Sequence, residues 1–434
     1  MIENSTRFSN LRVAGWRQFA DVELVIHPRL TVLTGANGAG KSSLLRIFSR
    51  HFGYDRAFLG TPSQDKLGNI SYATGLFSDR LSNLFRSLFP LKKRIESEVG
   101  TLGYSNGSST SLHVPEKSSV TFSINLNNQQ QVSGIHIDSH QPVPFFQQVT
   151  NIPAGLISPE IAFSSYNGDV LQKYAGGHTG YTPIYRMKEA IISMALFGEG
   201  NSSVQPNNEI YRAYRDFVSV LKKILPDSLG FIDISVRSPE VVLITRSGEF
   251  ILDAASGGLM TLIDLTWRLH LLSLTQAFFT VTMDEPENHL HPTMQRTLMP
   301  RLLSAFPQAQ FIIATHSPFM VSSVKDSYVY ALRYVNLSGE EADDSPIFAT
   351  ENVRVVSTEL DTVNKAASAN EILREVLGVS ATIPAWVEEG VAVVVDRYKR
   401  RALSVEMLGE LRNELESLGY DELYPEALAR LTEN

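Results

Sequence analysis

The chain contains no cysteine among its 434 residues. This absence excludes a disulfide framework, a thiolate metal site and a thiol nucleophile. Because disulfides are rare in reducing compartments, the composition also agrees with a cytoplasmic protein. Any chemistry that the protein performs must therefore rest on other side chains.

Long apolar runs are also missing. The most apolar region, residues 259–283, is interrupted by Asp264, Arg268 and His270, so no membrane-spanning helix is expected. The first residues, MIENSTRF, lack a basic segment followed by an apolar one, so no secretory signal is expected. With 43% hydrophobic residues, the chain is predicted to fold in water as one large domain with insertions, or as two domains.

Positive charge is not in excess either, because 38 Lys and Arg residues are outnumbered by 46 Asp and Glu residues, for a formal net charge of -8. This balance argues against a uniformly basic nucleic-acid-binding protein. Two local basic patches, residues 92–94 and residues 397–401, could still contact phosphate. A solvated helix face is the favoured interpretation of each patch.

The pattern of apolar and polar residues divides the chain into four parts. Residues 1–50 predict three strands, a glycine-rich loop and a helix, with the apolar run LTVLT directly before the loop. Residues 51–250 mix loops, strands and an amphipathic helix, and are predicted to form an insertion. Residues 251–340 return to an α/β pattern, and residues 341–434 form a mostly helical tail after the acidic loop GEEADDSP. We therefore expect one α/β core whose two blocks flank the insertion.

The tail carries a leucine stripe with near-helical spacing. Its members are Leu403, Leu408, Leu411, Leu415 and Leu418. We expect the stripe to serve in partner docking or assembly, and packing on the core of the protein is the alternative.

The segment GANGAGKS, residues 35–42, matches the P-loop pattern of a glycine, four residues, a glycine, a lysine and a serine or threonine. It lies between an apolar strand and a helical pattern, which makes a chance match to a glycine-rich turn the weaker interpretation. Glycines let backbone N–H groups surround a phosphate, Lys41 brings a cation to its oxygens, and Ser42 offers a hydroxyl to magnesium. The predicted nucleotide-binding residues are Gly35, Ala36, Asn37, Gly38, Ala39, Gly40, Lys41, Ser42 and Ser43.

The apolar run FFTVTM ends in two acids, Asp284 and Glu285. A P-loop nucleotide needs a second strand that ends in an acid, because a carboxylate there helps to hold magnesium. We therefore predict Ser42 and Asp284 as magnesium ligands. Glu285 is predicted to polarise the water that attacks the γ-phosphate, with Lys41 as the catalytic cation.

Two histidines, His289 and His291, follow these acids within the segment MDEPENHLHP. Carboxylates and imidazoles at this density also suit a zinc or manganese site. Pro292 fits the first turn of a helix, which places His291 near the helix cap rather than on a ligand face shared with His289. The nucleotide interpretation is therefore preferred, and a dedicated transition-metal site is the alternative.

Two further segments suggest phosphate contacts. His316, in ATHSP, follows the apolar run QFII, so it is predicted to end a neighbouring strand and to hydrogen-bond the γ-phosphate. A lone histidine is more often structural, but its place one strand after the acidic pair favours a functional role. Ser256, Gly257 and Gly258 open a predicted helix whose N-terminus suits an anion, so they are predicted as a second phosphate contact.

The four segments together resemble, in order and spacing, the Walker A, signature, Walker B with D-loop, and H-loop motifs of ABC-type ATPases. They are LTVLTGANGAGKSSLLRIF, ASGGLM, VTMDEPENHLHP and IIATHSP. More narrowly, they are similar to the soluble branch that contains the SMC, RecF and OLD-like proteins. The resemblance covers the first fifty residues and residues 252–321. It implies an α/β P-loop NTPase of ABC-ATPase head type, with a mixed β-sheet, flanking helices, a mixed α/β insertion and a helical C-terminal tail.

The resemblance also implies a function. Heads of this family bind and hydrolyse ATP with Mg²⁺, and they pair when ATP binds. Each nucleotide then lies between the Walker motifs of one subunit and the signature of the other. We therefore expect ATP and Mg²⁺ as cofactors, and a homodimer or higher homo-oligomer with composite sites that include Ser256, Gly257 and Gly258.

The sequence departs from the family pattern in several places. Ala255 and Leu259 replace the usual leucine and the usual glutamine or glutamate at the two ends of the signature, which leaves the trans contact open. Gln64, Gln147 and Gln148 all lie in the insertion, so the family's Q-loop glutamine is unassigned. The insertion lacks the long heptads of an extended coiled coil. The tail lacks the acidic cluster that a metal-dependent nuclease domain requires.

Three functions compete at this point. The leading hypothesis is a cytoplasmic ATPase whose pairing controls a separate effector, as in the bacterial anti-phage defence ATPases that resemble this branch. The segment ANEILREVLGV, residues 369–379, resembles tails of such ATPases. The alternative is a DNA-repair or recombination ATPase that clamps DNA, with nucleic acid as its partner, and the negative net charge places it second. A transporter ATPase fits poorly, because no membrane-coupling signature is evident and no membrane partner is expected.

Overall fold

The structure is a computed structural model, and it describes residues 6–64, 68–76, 96–116, 119–140, 145–151, 155–336, 353–377, 384–399 and 404–432. Three features named above lie outside these residues: the basic patch at 92–94, the acidic loop at 339–346 with the expected boundary after residue 340, and Leu403. Residues 400 and 401 of the second basic patch lie outside them too. The chain divides into two compact units, Met1–Ala367 and Ser368–Asn434.

The strands all lie in the first unit. They are β1 Phe8–Trp16, β2 Phe19–Val25, β3 Leu30–Gly35, β4 Phe58–Leu59, β5 Thr61–Gln64, β6 Ile70–Ala73, β7 Glu96–Tyr104, β8 Ser109–Pro115, β9 Thr121–Phe122, β10 Asn125–Asn127, β11 Gly134–Ile137, β12 Phe231–Arg237, β13 Glu240–Thr245, β14 Gly248–Ile251, β15 Phe279–Asp284, β16 Ala309–Ala314, β17 Tyr328–Asn336 and β18 Val353–Glu359.

The helices occur in both units. Those of the first unit are α1 Lys41–Ser49, α2 Pro159–Tyr174, α3 Pro183–Glu199, α4 Asn208–Ile224, α5 Gly257–Thr275, α6 Pro292–Ala305, α7 Pro318–Val321 and α8 Thr362–Lys365, with short 3₁₀ turns at Arg50–Phe52, Asp227–Leu229 and Leu252–Ala254. Those of the second are α9 Ala369–Glu371, α10 Ala385–Tyr398, α11 Val405–Ser417 and α12 Tyr424–Thr432, with a π-helical segment at Ile372–Val376 and a 3₁₀ turn at Asp421–Leu423.

Within the described residues, eleven strands form one mixed sheet, in the order β10-β8-β7-β1-β2-β18-β17-β3-β16-β15-β11. From β17 to β11 the neighbours are parallel, whereas from β10 to β2 they are antiparallel. The parallel strands all end at one edge of the sheet, so the residues after β3, β16 and β15 come together there. This mixed sheet with flanking helices is the fold class that the sequence predicted.

Strands from the expected insertion and tail join this sheet. β7, β8, β10 and β11 come from residues 51–250, and β18 comes from residues 341–434. β18 pairs with β17 in antiparallel and with β2 in parallel orientation. Residues 353–359 are therefore part of the first unit, and a truncation that spares this unit must end after them.

The central strands are buried along their whole length. β3, β15 and β16 have only buried residues, because helices cover a parallel sheet on its faces. Their continuous apolar runs are the sequence signature of this burial. α1 packs on the face formed by β3, β16, β15 and β11. The core thereby fixes both ends of the loop that joins β3 to α1.

Local sequence signals set the helix starts. The side chains of Ser158, Thr182, Asn207 and Ser256 accept backbone N–H hydrogen bonds at the starts of α2, α3, α4 and α5. α2 packs on α3 and α5, and α4 packs on α3, α5 and α6. The predicted helices beginning near Gly257 and at Pro292 are confirmed as α5 and α6. No helix in the part of the chain that the structure describes is both long and apolar enough to cross a membrane.

The second unit has its own apolar core, built by α10, α11 and α12. Leu411 and Leu415 of the leucine stripe are buried in this core, and Leu408 packs against it. Leu418 is half exposed. The described members of the stripe thus pack mainly within the tail, because the helices of the tail bury their apolar faces against one another.

Candidate nucleotide-binding and catalytic site

The loop between β3 and α1 requires glycine at two of its positions. Gly35 and Gly40 have φ values of 134° and 98°. A Cβ atom at Gly35 would lie 2.4 Å from the Leu332 carbonyl oxygen, and one at Gly40 would lie 2.4 Å from Gln18 Nε2. The first turn of α1 has no side-chain cap. Its N–H groups are therefore placed to bind an anion such as phosphate.

Lys41 is buried at the start of α1, and its ammonium group folds over the loop. Lys41 Nζ donates hydrogen bonds to the carbonyl oxygens of Gly35, at 3.0 Å, and Ala36, at 3.2 Å. Burial lowers the pKa of Lys41 to about 8, and the charges of Asp284 and Glu285 act in the opposite direction. The side chain is therefore mainly a cation at pH 7, in the centre of the loop.

Asp284 ends β15 and is only 9% exposed. Burial raises the pKa of its carboxyl group to about 6, and a hydrogen bond with Ser42 acts in the opposite direction. Among the described residues, its Oδ1 atom is buried without a hydrogen-bond partner. A buried carboxylate oxygen that lacks a partner, next to a serine hydroxyl, is a donor set that suits Mg²⁺. Ser42 and Asp284 therefore fit the predicted metal.

Glu285 begins the turn after β15 with a left-handed backbone, at a φ of 49°. This conformation is uncommon for residues other than glycine and is often found at functional sites. The Glu285 amide donates to the Ala314 carbonyl oxygen at 2.8 Å, which ties the turn to the end of β16. Glu285 Oε1 lies 3.8 Å from His316 Nε2, and Asn288 Nδ2 donates to Glu285 Oε2 at 3.2 Å. The structure therefore brings Glu285 and His316 together, as their strand positions suggested.

The protonation state of His316 follows from its surroundings. Burial lowers the pKa of His316 below its ordinary value, and the Lys41 charge lowers it further, whereas Glu285 acts in the opposite direction. The imidazole is therefore mainly neutral at pH 7, with one nitrogen as a donor and the other as an acceptor.

Glu287 is a residue to which the sequence assigned no role. Its Oε1 atom accepts hydrogen bonds from Thr315 Oγ1 at 2.6 Å, from the His316 amide at 2.9 Å and from the Ser317 amide at 3.1 Å. Burial raises the pKa of its carboxyl group, and these hydrogen bonds act in the opposite direction. Glu287 thus holds the backbone turn that carries His316. The available signal in the sequence was a third acid in MDEPEN.

The signature segment lies at the start of α5. The Ser256 hydroxyl caps its own helix by accepting from the Leu259 amide at 3.4 Å. A Cβ atom at Gly258 would lie 2.4 Å from the His289 carbonyl oxygen, so this position needs glycine. Ser256, Gly257 and Gly258 are therefore adjacent to the turn after β15 in the same chain.

The two histidines that follow the acidic pair, His289 and His291, have backbone roles. His289 adopts a left-handed conformation with a φ of 66°. His291 is the N-cap of α6, and its Nδ1 atom accepts from the Thr293 amide at 3.3 Å. Over the residues that the structure describes, no group of three His, Cys, Asp or Glu side chains could hold a metal ion.

The glutamines considered for a Q-loop have other contacts. Gln64 Nε2 donates to the Gly68 carbonyl oxygen. Gln147 Oε1 accepts from the Thr182 amide at 2.9 Å. β11 is the parallel neighbour of β15, and the Ser139 carbonyl oxygen just beyond it accepts from Asn288 Nδ2 at 3.3 Å. The next glutamine after β11 is residue 141, which lies outside the described residues.

An open cavity of about 460 Å³ lies over Glu285 and His316. The residues that line it are Asn37, Glu285, Glu287, Asn288, Gln295, His316 and Ser317. Polar side chains from the P-loop, the turn after β15 and the turn after β16 thus converge on one space that is open to solvent.

Two protein families match the two blocks that hold this site. Residues 10–86 match the family described as "AAA domain". Residues 245–322 match the family described as "AAA domain, putative AbiEii toxin, Type IV TA system". The first match contains the P-loop, and the second contains the signature, the acidic pair and His316.

Curated relatives with similar sequences include two retron proteins. "Retron Vc95 probable ATPase" of Vibrio cholerae serotype O1 biovar El Tor is 27% identical over 151 residues, which span 32% of this chain and 29% of the relative. "Retron Ec83 probable ATPase" of Escherichia coli is 38% identical over 53 residues, which span 12% of this chain and 10% of the relative. The matches therefore cover less than a third of either retron protein.

Solved structures similar to this chain include two SMC heads. The SMC head domain from Thermotoga maritima is 11% identical, with a TM-score of 0.38, over 82% of this chain and 99% of its own. A Smc head domain with an extended coiled coil, bound to the C-terminal domain of ScpA derived from Pyrococcus furiosus, is 14% identical, with a TM-score of 0.40. This match covers 85% of this chain and 99% of the Smc chain.

The site defines a class of protein. A P-loop, an acidic pair at the end of a parallel strand and a histidine on the strand between them are the parts of a P-loop nucleoside-triphosphatase. With the two AAA-domain matches, the chain is a P-loop ATPase. Its four motifs resemble, in chain order, those of ABC-type ATPases of the soluble SMC, RecF and OLD-like branch. It is related to the retron ATPases.

Proposed function

We propose that this protein binds and hydrolyses ATP, pairs with a second copy when ATP is bound, and thereby controls a separate effector protein. We further propose that it acts in the cytoplasm as the ATPase subunit of a bacterial anti-phage defence system. The observation that carries the proposal is the position of Glu285 Oε1, 3.8 Å from His316 Nε2, at the strand ends beside the P-loop.

Hydrolysis follows from the positions of three side chains. Glu285 accepts a proton from the attacking water as that water bonds to the γ-phosphorus, and the bond to the β–γ bridging oxygen breaks, leaving ADP and phosphate. Lys41 exchanges its contacts with loop carbonyls for the β and γ oxygens and offsets their developing charge. His316 hydrogen-bonds the γ-phosphate and holds it in line with the water.

The magnesium ion would be held by the Ser42 hydroxyl and the Asp284 carboxylate, and when bound it supplies positive charge to the phosphate oxygens. The unpartnered Asp284 Oδ1 supports this assignment. The backbone N–H groups of residues 35–43 hold the phosphates independently of the metal.

The signature segment supports the proposed pairing. Ser256, Gly257 and Gly258 form the N-terminus of α5, which suits an anion. In the proposed pair, this terminus meets the γ-phosphate bound to the second copy. One chain alone would then be an incomplete enzyme, and ATP would hold the two chains together.

The defence role is supported by the retron relatives, whose printed names describe probable ATPases of retrons. A separate effector is proposed because the sequence contains the motifs of an ATP site and no recognisable effector domain. The described part of the tail is a small helical unit with an apolar core of its own.

Clamping of DNA, the alternative from the sequence, gains no support from the described basic patch. Arg397 Nη1 lies 2.6 Å from Glu414 Oε1, and Lys399 Nζ lies 3.4 Å from Asp396 Oδ1. These two acids offset the charges of Arg397 and Lys399, so the described part of the patch offers a phosphate backbone little net attraction.

The test combines turnover with assembly. The purified chain should release phosphate from ATP only with Mg²⁺, and its molar mass in solution should increase with MgATP. Lys41→Ala should lose both properties, because the loop loses its cation. A wild-type chain that hydrolyses ATP as a permanent monomer would contradict the pairing model, and one that binds duplex DNA tightly and in a salt-dependent manner would favour the alternative.

A further inference from the structure

A buried lysine of α3 connects the helical layer to the signature segment. Lys188 is 0% exposed, and its Nζ atom donates to Asp253 Oδ2 at 2.8 Å and to the Gln147 carbonyl oxygen at 2.7 Å. Glu240 Oε2, at the start of β13, lies 3.7 Å from the same nitrogen. The ring of Phe146 lies 5.0 Å away. Four separate parts of the first unit therefore meet at one ammonium group.

A buried ion pair is weak evidence for stability alone. Removing two charges from water is costly, and apolar residues of similar volume are often as stable in such a place. Such a pair does impose geometry, because its hydrogen bonds are short and directed. The position of Asp253 in the chain therefore indicates which segment this ion pair orients.

Asp253 lies in the 3₁₀ turn Leu252–Ala254, directly before the signature. Only Ala254 and Ala255 separate it from Ser256, and both Ala255 and Ser256 have extended backbones. Because the Asp253 carboxylate is held, the chain enters α5 from a fixed point. The direction in which Ser256 starts the helix then depends on Lys188.

The other side of this anchor is a helix start. Gln147 Oε1 accepts from the amide of Thr182, the N-cap of α3, and Gln147 Nε2 donates to the Gly180 carbonyl oxygen. Residues 145–151 are therefore held both by Lys188 and by the start of the helix that carries it. A shift of α3 would move the loop and Asp253 together.

We propose that Lys188 is a positioning residue for the signature: through Asp253 it orients Ser256 and Gly258 for contact with the nucleotide bound to a second copy. This inference rests on the proposed function. The polar partners of Lys188 among the described residues are Gln147, Asp253 and Glu240, so it acts on the trans half of the site rather than on Lys41 or Glu285.

The first experiment measures local order without nucleotide, by hydrogen exchange of the full chain. Lys188→Met keeps the length of the side chain and removes its charge. Exchange of residues 252–260 should become at least about tenfold faster, because their turn loses its anchor, while peptides from α1 and β15 should exchange as in the wild type. Lys222→Met, the same change at an exposed position of α4, is the matched control.

The second experiment measures ATP binding, which depends on the P-loop, separately from association and turnover, which depend on the signature. In Lys188→Met, the affinity of the monomer for ATP should stay within about twofold of wild type, because the P-loop is intact. Association in MgATP and kcat should each fall by about tenfold or more. If Lys188→Met does not fold, Asp253→Asn keeps the shape of the turn, removes its charge and should change exchange and kcat in the same direction.

Different results would contradict the positioning role of Lys188 and the proposed function. Unchanged exchange at residues 252–260, or an equal increase in every peptide, would overturn the positioning role. Wild-type association and turnover in Lys188→Met would overturn it as well. If the wild-type protein does not associate in MgATP, the proposed function fails, while the exchange experiment still decides whether Lys188 holds the segment.

Discussion

Glu285 Oε1 and His316 Nε2 lie 3.8 Å apart because their residues follow neighbouring parallel strands in register. Asp284, the last residue of β15, pairs with Ala314, two residues before His316. The Glu285 amide donates to the Ala314 carbonyl oxygen, which sets the turn. Glu285 and His316 are thus positioned by one pair of strands, next to β3, the strand that leads into the P-loop.

Glu285→Gln should lower phosphate release by at least about 10²-fold while nucleotide binding is kept, because the amide preserves the shape and cannot accept the proton. The ATP that is not hydrolysed should then keep the two copies paired. Phosphate release, ATP affinity and mass in solution are the measurements, and Glu209→Gln at the exposed start of α4 is the control. Turnover close to wild type would remove Glu285 from the role of base.

Glu287→Leu should reduce kcat by about tenfold or more, because the His316 turn loses its three hydrogen bonds to Glu287 Oε1. Glu287→Gln should retain most of the activity, since its amide oxygen can accept the same three bonds. ATP affinity should change little in either variant. Equal losses in both would show that the charge of Glu287, rather than its acceptor geometry, is what matters.

The stability of the fold should depend on pH through Glu287. Burial raises the pKa of this carboxyl group above the ordinary value of 4.5, so the folded chain holds this proton more tightly than the unfolded chain. The proton therefore favours folding, and this contribution is lost as pH rises from about 4.5 through the folded pKa. Relative to wild type, Glu287→Gln should gain unfolding free energy over the same interval. Denaturant melts of both proteins between about pH 4 and pH 8 measure the difference. A difference that does not change with pH would argue against the raised pKa.

The histidines after the acidic pair should bind no structural transition metal. The double variant His289→Asn and His291→Ser keeps a residue that tolerates positive φ and a residue that caps α6. We expect elemental analysis to find no stoichiometric zinc or manganese in either protein, and both should hydrolyse ATP in a Mg²⁺-dependent manner. Bound metal that is present in wild type and absent in the variant would establish the alternative site.

The helical tail should be separable from hydrolysis if the chain is cut after the last strand of the sheet. A chain that ends after Ala367 keeps the whole first unit, so it should stay soluble and hydrolyse ATP while losing its effector or its assembly state. A chain that ends at residue 340 lacks β18 and leaves β2 and β17 without their shared neighbour, so it should aggregate. Loss of ATPase activity in the longer truncation would show that the second unit supports the catalytic unit.

The sequence by itself determined the local chemistry of this protein. The glycines and lysine of residues 35–42 lie between an apolar strand and a helix, and the structure has that loop between β3 and α1. Asp284 and His316 could likewise be placed at the ends of strands, because the apolar runs before them show where each strand stops. These features depend on residues that are close in the chain, and short-range patterns of apolarity and backbone geometry are sufficient to show them.

Only the tertiary structure decided which distant residues support that chemistry. Glu287 reaches Thr315 across 28 positions, and Lys188 reaches Asp253 across 65. The placement of β18 beside β2 joins residues near the two ends of the first unit. Such contacts are selected by the packing of whole strands and helices. No spacing within a single segment encodes them, because a buried charge finds its partner only once the sheet and its helices have closed around it.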